Sequence, residues 1–272
     1  MALSVVDLYK NALPKTNCKE CGFPTCLAFA SMVVSEKHPL KNCPYIKTEI
    51  IKTCQKELDE QHAEGKWTKK DMAQDALLWA KKRAASMEIK DLPERIGGEI
   101  INIEDGSALR LPYFEDFVLI KKESVTNIQG TALNRWEQVF IFNHIAQGGK
   151  RDPTGNWKSL QEFPNTISKI KSMHSHVEQP LIKKFAGDIQ KLIEASKSLG
   201  GIDVTDKYSS SDIAFYFKVF PKIPVLLMFW DVDDSFDAEV KFLFDETIVE
   251  HLDIESILFL SERLRQLLCG ES

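Results

Sequence analysis

The sequence predicts an α+β protein, in which a small helical module precedes a mixed α+β domain with an antiparallel sheet. Segments rich in β-branched and aromatic residues are grouped around residues 99–121 and 213–245. They do not alternate one by one with helices, which is the pattern of α+β folds. Four of the six cysteines lie within the first 43 residues, as in a compact cysteine-rich module. We therefore expect a module over residues 1–56, a linker over 57–68 and the α+β domain over 69–272.

The N-terminal module is expected to contain two helices. The segment SVVDLYKNALP has helical spacing and stops at Pro14, because proline breaks the interior of a helix. A second helix is expected to begin at Pro24, with Thr25 and Cys26 in its first turn, since proline is favoured at the first helical position. The polar stretch after Cys43 is expected to be partly helical and to lead into the linker.

The larger domain is expected to begin with an amphipathic helix over residues 69–88. Apolar side chains recur there on one helical stripe, at Met72, Ala76, Leu77, Trp79 and Ala80. Three short β-prone runs follow around Gly106 and Pro112, with the sequences EIINIE, ALRLPY and DFVLIKK. Together they predict an antiparallel meander.

The remainder of the domain predicts a group of helices and then a group of strands. NRWEQVFIFNHIAQGG predicts a helix that ends at Gly148 and Gly149. Residues 165–199 predict two helices, which are interrupted at Pro180 and end at Gly200 and Gly201. IAFYFKVF, KIPVLLMFWD and EVKFLFDE predict three strands, and DIESILFLSERLRQLLCG predicts a closing helix.

Composition describes an ordinary globular protein, with 43% apolar and 28% charged residues. No stretch approaches the roughly 20 apolar residues that span a membrane. The first residues lack the basic and apolar segments of a secretion signal, so we expect a cytoplasmic protein. In the reducing cytosol, clustered cysteines bind metal or perform redox chemistry more often than they form disulfides.

The spacing of Cys18, Cys21, Cys26 and Cys43 is C-x2-C-x4-C-x16-C. Thiolates are soft ligands that suit zinc or an iron–sulfur cluster. Structural zinc sites generally use two close pairs of ligands, whereas three clustered cysteines and a remote fourth suit a cubane, which needs one thiolate at each iron. Zinc and four unrelated buried thiols remain the alternatives. Gly22 would let the backbone approach a bulky cluster.

The segment NCKECGFPTCLAFA and the later KNCPY resemble the small four-iron, four-sulfur module of the corrinoid/iron–sulfur protein large subunit of anaerobic acetyl-CoA metabolism. The module of the B subunit of the Rnf electron-transport complex is similar. The resemblance covers residues 14–47 and includes Asn17, Gly22, Phe23 and Pro24. It implies that one [4Fe-4S] cluster is held by Cys18, Cys21, Cys26 and Cys43, and that the module carries one electron at a time.

The resemblance to the corrinoid protein ends with the module. Residues 60–272 are too short and too strand-clustered for the large barrel of that family, and no D-x-H-x-x-G motif for coordinating cobalt is present. His144 comes nearest, but the aspartate is missing and the glycine falls one place late. DPTGNWKSLQEF, the segment around 200–231 and FLFDE instead resemble an uncharacterised domain family that follows this module in anaerobes.

Several other groups of side chains are candidate sites. Four aspartates follow the run KIPVLLMFWD: Asp231, Asp233, Asp234 and Asp237. Clustered carboxylates could hold a hard cation, but this segment lacks the glycine and the distal glutamate of a calcium loop, so a solvated turn is favoured. The side chains of His174 and His176 diverge on a helix, so a metal site formed by this pair is not expected.

Cys54 and Cys269 lie outside the ligand spacing. Aromatic side chains on the strands are expected in the core, with a ligand pocket as the alternative: Phe215, Phe217, Phe229 and Trp230.

Charge is distributed unevenly along the chain. The net charge is −5, but residues 1–56 carry eight lysines and four acidic residues, hence +4, and the remainder carries −9. Five lysines surround the cysteines and predict either a soluble surface or a face that docks an acidic redox partner: Lys15, Lys19, Lys37, Lys41 and Lys47. Nucleic-acid binding is not expected, because the chain is acidic and has no basic stripe interleaved with aromatics.

Three functions remain open from the sequence. The preferred one is an iron–sulfur protein that carries single electrons to a redox partner such as a corrinoid protein or a ferredoxin, in corrinoid-dependent or related anaerobic metabolism. The second is a redox enzyme whose C-terminal domain binds a cofactor or substrate fed by the cluster. The third is a cluster-based redox sensor or scaffold.

Overall fold

The computed structural model describes residues 3–63, 72–103 and 106–271. The chain divides into two compact units between residues 71 and 72. Helices make up the first unit, and antiparallel sheets with helices make up the second, so the predicted α+β class is confirmed. The expected linker over 57–68 falls partly outside the described residues, and its described part is the end of a helix.

The first unit contains, in its described residues, helices α1 (Val5–Asn11), α2 (Cys26–Glu36) and α3 (Thr48–Ala63), with a 3-10 turn at Leu40–Asn42. Both predicted helices are present. Thr25 is the N-cap of α2, because its hydroxyl accepts a hydrogen bond from the Ala28 N–H at 3.0 Å. Pro24 therefore precedes the helix, whereas the sequence placed it at the first helical position.

The first unit has a small apolar core of its own. Leu8, Phe29, Val33, Leu40 and Leu58 are almost completely buried in it. The α3 helix is also tied to α2 by a polar contact, since the His62 ring nitrogen Nε2 lies 2.7 Å from the Val34 carbonyl oxygen. The core thus holds together the segments that carry the cysteines.

The second unit contains two antiparallel sheets in the described residues. The first is the predicted meander in the order β1-β2-β3-β4, comprising β1 (Glu99–Ile103), β2 (Gly106–Tyr113), β3 (Asp116–Ile120) and β4 (Val125–Asn127). The second sheet has the order β5-β9-β8-β7-β6, comprising β5 (Trp157–Ser159), β6 (Ile202–Asp203), β7 (Ile213–Phe220), β8 (Ile223–Trp230) and β9 (Glu239–Asp245). The three strands predicted near the C-terminus are its centre.

Helices surround these sheets. They are α4 (Met72–Ala84), α5 (Leu92–Ile96), α6 (Arg135–Gln147), α7 (Ile167–Met173), α8 (Gln179–Phe185), α9 (Ile189–Ser198), α10 (Ile248–His251) and α11 (Ile254–Cys269). Gly148 ends α6 as predicted. Within the described stretches, no helix combines the length and the apolar character that crossing a bilayer requires.

The core of the second unit lies between the helices and the sheets. Phe215, Phe217 and Phe229 are at most 1% exposed, which confirms the expectation that these aromatics are core residues. Strand β8 is buried along nearly its whole length, because Leu226 on its other face belongs to a second, smaller apolar cluster. Trp230 at the end of β8 is only partly buried, and the Lys241 ammonium lies 5.2 Å from its ring centroid.

Pro180 does not interrupt the helix in the way the sequence predicted. The chain runs from α7 into a π turn (His174–Glu178) and directly into α8, which contains Pro180 in its first turn. Proline lacks an N–H and its ring clashes with the carbonyl four residues earlier in a regular α-helix. The wider π turn, in which the Gln179 N–H donates to the His174 carbonyl, relieves this conflict. The break comes later, at Gly187, before α9.

The position of Trp79 on α4 also differs from the prediction. Leu77 and Ala80 face the core, but Trp79 is 65% exposed. Successive residues of an α-helix are about 100° apart, so a side chain two positions from Leu77 points to roughly the opposite side. The buried face of α4 is therefore narrower than the stripe predicted from the sequence.

Candidate functional site

The four cysteines of the predicted site come from two separate segments of the first unit. Cys18 and Cys21 lie in the loop between α1 and α2, and Cys26 is the first residue of α2. Cys43 directly follows the 3-10 turn, and its N–H donates to the Leu40 carbonyl at 3.2 Å. Cys26 and Cys43 are buried, Cys21 is partly buried and Cys18 is exposed. Two of the four cysteines are thus anchored in the interior of the unit, and Cys18 faces solvent.

The loop that carries Cys18 and Cys21 has an unusual backbone. The φ angles are positive at Lys15 (62°), Asn17 (51°), Lys19 (68°) and Gly22 (83°). A side chain in this region costs about 1–2 kcal/mol per residue, so such residues are uncommon outside glycine. Left-handed residues among right-handed ones create concavities lined by N–H groups, which hold anions including iron–sulfur clusters.

Hydrogen bonds fix this loop to its surroundings. The Asn17 Oδ1 atom accepts from the Cys26 N–H at 2.8 Å, which joins the loop to the start of α2. The Gly22 N–H donates to the Lys19 carbonyl at 2.9 Å and closes a turn around Cys21. The Tyr45 hydroxyl donates to Glu20 Oε1 at 2.6 Å and joins the segment after Cys43 to the same loop.

Cys43, remote in sequence, is buried in the same small apolar core as Cys26, and Cys21 packs against that core. Burial raises the pKa of the Cys43 thiol, and the thiols of Cys21, Cys26 and Cys18 raise it further. A hydrogen bond from the Tyr45 backbone N–H opposes this rise.

The donor set fits an iron–sulfur cluster. Thiolates are the ligands of such clusters, and each iron of a cubane takes one of them at a separate corner. In the described parts of the chain, no three His, Cys, Asp or Glu side chains converge closely enough for a single metal ion. Cys26 lies at the N-terminus of an 11-residue helix, where the helix dipole favours an anionic group. A side chain at Gly22 would meet no protein atom within 4 Å, so its positive φ is the reason for glycine here.

Three rings pack together beside the cysteines, and Phe23 among them belongs to the residues that carry the resemblance. The Phe23 ring centroid lies 5.1 Å from that of His38 and 5.8 Å from that of Phe29, and the last two are 5.8 Å apart. The His38 ring nitrogen Nε2 also lies 3.0 Å from Asn42 Nδ2, next to Cys43. These rings form an apolar wall next to Cys21 and Cys26, and their packing has no sequence signal beyond proximity to the cysteines.

The surface around the cysteines is basic. The five lysines predicted to surround the site are all exposed: Lys15, Lys19, Lys37, Lys41 and Lys47. Two apolar side chains of the same unit are also unusually exposed, Leu27 at 48% and Tyr45 at 55%. A cationic surface with exposed apolar side chains suits contact with an acidic protein.

The two remaining cysteines lie in helices, as expected. Cys54 is a partly buried residue of α3, and Cys269 is the last residue of α11. Burial raises the pKa of both thiols, and the Glu57 carboxylate adds to the rise at Cys54.

The other candidates in the second unit have hydrogen-bond partners within the protein. Asp231 Oδ1 accepts from the Gly187 N–H at 2.7 Å, which joins the end of β8 to the segment between α8 and α9. Asp233 Oδ1 accepts from the Phe236 N–H at 2.8 Å within the turn between β8 and β9. His174 and His176 diverge as predicted, because the first faces Glu178 and the second faces Glu262.

His144 is completely buried. Its Nδ1 lies 3.3 Å from the carbonyl oxygen of His251, a second buried histidine. Burial lowers the pKa of His144 to about 3. The ring is thus a neutral core group of the second unit.

Comparison with known proteins agrees with this division of the chain. A family model described as "Putative Fe-S cluster" matches residues 13–45, and one described as Domain of unknown function (DUF3786) matches residues 88–267. No solved structure matches the chain. The predicted resemblance to a corrinoid protein module followed by an uncharacterised domain family is therefore confirmed.

Relatives share only a short part of their length with this chain. The chain is 54% identical over 46 residues to the corrinoid/iron-sulfur protein large subunit of Moorella thermoacetica, covering 17% of this chain and 10% of that protein. It is 40% identical over 58 residues to the acetyl-CoA decarbonylase/synthase complex subunit gamma of Methanocaldococcus jannaschii, covering 21% and 12%. It is 33% identical over 96 residues to subunit gamma 1 of the same complex from Methanosarcina thermophila, covering 35% and 17%.

Proposed function

The chain belongs to the family described as Domain of unknown function (DUF3786), and we propose that its N-terminal unit binds one [4Fe-4S] cluster and carries single electrons. Cys18, Cys21, Cys26 and Cys43 are the proposed ligands. The observation that carries the proposal is that Cys43, although remote in sequence, is buried in the same small apolar core as Cys26, with Cys21 packed against that core. The match of residues 13–45 to an iron–sulfur cluster family supports it independently.

Each residue around the site has a role that follows from its contacts. Asn17 joins the loop to the start of α2, and Tyr45 joins the segment after Cys43 to the same loop, so that both cysteine-bearing segments would stay together around the cluster. The aromatic wall with Phe23 excludes water from one side. A bound cluster of this type exchanges one electron at a time. Exposed Cys18 marks the edge through which that electron would pass to a partner.

The proposed partner is an acidic redox protein. The exposed lysines around the cysteines would attract such a protein and raise the rate of encounter. The curated relatives are named as subunits of an acetyl-CoA decarbonylase/synthase complex and of a corrinoid/iron-sulfur protein. We therefore propose a corrinoid protein or a ferredoxin as partner, in the cytoplasm of an anaerobe. The match covers only 10–17% of the length of the three relatives described above, so the proposal takes from them the cluster module and not the activity of the whole protein.

Metal analysis of anaerobically purified protein tests this proposal. We expect about four irons and four sulfides per chain and a broad visible absorption that bleaches on reduction. The same sample should give the electron paramagnetic resonance signal of a one-electron-reduced cluster. Stoichiometric zinc without sulfide would contradict the proposed cofactor, and a cluster that accepts no electron from any low-potential reductant would contradict the carrier role.

A further inference from the structure

A cavity of about 310 Å³ lies in the second unit beside β9, α7 and the π turn. Its body is apolar and is formed by Leu160, Met173, Ile182, Val240 and Phe242. A concave, largely apolar volume of this size with a few polar groups at one end is typical of a small-molecule site. The proposed electron carrier does not use it.

The π turn supplies two of the polar side chains that line the cavity, and β9 supplies Glu239 and Lys241. His174 Nδ1 lies 3.0 Å from Glu178 Oε2, and both side chains line the cavity. Residues four apart are neighbours on one face of a helical segment, so these two groups meet beside the cavity. The Glu178 side chain is only 24% exposed.

Glu178 is the less exposed of the two carboxylates that line the cavity, at 24% against 58% for Glu239. Lys241 already has two partners, because its Nζ lies 3.1 Å from Glu239 Oε1 and 5.2 Å from the Trp230 ring centroid. Within the described residues, Glu178 Oε1 has no hydrogen-bond donor. Burial raises the pKa of Glu178, against the opposing effect of His174. A half-buried carboxylate oxygen beside an apolar cavity gains most from a charged donor.

We propose that this cavity binds a small apolar molecule bearing a protonated amine, with the amine against Glu178 and the apolar part between Met173 and Phe242. A ligand carboxylate is disfavoured, since it would face both Glu178 and Glu239 while the ammonium of Lys241 is already paired. The proposal stands apart from the cluster and gives the DUF3786 domain a ligand class.

Three probes with the same six-carbon chain test the choice of head group. Hexylammonium, hexanol and hexanoate are titrated into the full-length, cluster-loaded protein labelled with ¹³C at the methionine methyls. The Met173 methyl, which lines the cavity, should shift saturably, whereas that of Met87, which contacts Arg95 and is not a lining residue, should not. Hexylammonium should bind more than about tenfold more tightly than hexanoate, from the value of a charge-assisted hydrogen bond.

Matched variants assign the preference to Glu178. Glu178→Gln should remove most of the preference for hexylammonium over hexanol. Glu262→Gln, which changes the other carboxylate paired with a histidine of the π turn, should leave it intact. Ile170→Trp should fill the cavity and abolish binding of all three probes. The proposal is overturned if hexanoate binds as tightly as hexylammonium, if Glu178→Gln and Glu262→Gln behave alike, or if no probe shifts Met173.

Discussion

At the scale of single residues, Cys43 and Cys54 provide the sharpest test of the proposed ligands. Cys43→Ser should lose iron, because a serine hydroxyl is hard and mostly protonated at neutral pH and replaces a soft thiolate poorly. Cys54→Ser should retain full iron, since its thiol lies on α3 beside Glu57. Iron and sulfide are measured side by side in the two variants, purified anaerobically. Full iron in Cys43→Ser together with loss in Cys54→Ser would replace Cys43 by Cys54 in the ligand set.

His144 makes the stability of the second unit depend on pH. Its pKa is about 3 in the folded protein because of burial, against about 6.5 in an unfolded chain. Between pH 3 and pH 6.5 the imidazole of His144 is therefore protonated in the unfolded chain but neutral in the folded one. Its contribution to the free energy of unfolding is fully present above about pH 6.5 and is lost as the pH falls toward 3. For one proton, the free energy of unfolding changes by at most about 1.4 kcal/mol per pH unit. Burial also lowers the pKa of His251, which adds to the same trend.

Urea unfolding of the full chain between pH 7 and pH 5 measures this dependence. His144→Phe should unfold with a flatter dependence of the free energy on pH, because the group that takes up the proton is gone. His176→Gln is the control, since its ring is 62% exposed and the variant should change the dependence little. Equal pH dependence in wild type and His144→Phe would show that other groups dominate.

The residues of the candidate site differ in how visible they are from the sequence. The four cysteines could be predicted, because cluster geometry restricts their spacing and few other roles produce it. The contact between Phe23 and His38 could not be predicted, although Phe23 itself carries part of the resemblance, since a contact between rings leaves no fixed interval along the chain. Glu178 was also missed, because its position at a cavity depends on how α7 and the π turn pack beside β9, which leaves no fixed interval along the chain.

At the scale of elements, a buried ion pair fastens α6 to α11 and β2. Glu137 Oε1 accepts from Arg263 Nε at 2.8 Å and from the Tyr113 hydroxyl at 2.9 Å. Arg263→Met should destabilise the protein by about 3–5 kcal/mol, because it leaves the Glu137 carboxylate buried without its cation. Urea unfolding measures the loss.

Two further variants show whether the lost stability comes from the buried charge of Glu137. Adding Glu137→Gln to Arg263→Met should recover much of the stability, because no uncompensated charge remains. Lys150→Met breaks an exposed pair with Glu94 at 2.8 Å and should have little effect, as exposed ion pairs contribute little. If Arg263→Met and Lys150→Met cost the same, the buried pair does not fasten these elements.

The elements that the sequence predicted well are those with strong periodicity or clear stops. Strands β7, β8 and β9 could be predicted from continuous β-prone runs, and α6 from its glycine stop. The path through Pro180 could not, because proline alone does not reveal whether a chain bends or widens into a π turn. The exposure of Trp79 was missed because a large apolar residue was assigned to the core by type and not by its angle on α4.

At the scale of the whole molecule, the two units have separate apolar cores. The core of the first unit has few large buried side chains, whereas the core of the second unit contains side chains from helices and from both sheets. In a small metal module, ligation free energy is folding free energy, so we expect the first unit to depend on its cluster. The second unit has a large apolar core of its own, so we expect it to fold without metal.

A truncated chain beginning at Lys69 tests this independence. It should be soluble and should unfold cooperatively without iron, with a free energy of unfolding that chelators do not change, because its core contains none of the four ligands. In the full chain, the control Cys26→Ser should disorder the first unit and leave the unfolding transition of the second in place. Hydrogen exchange reports on the two units separately. An aggregated or non-cooperative truncated chain would mean that the second unit requires the first, and the cluster module would then be part of its folding unit.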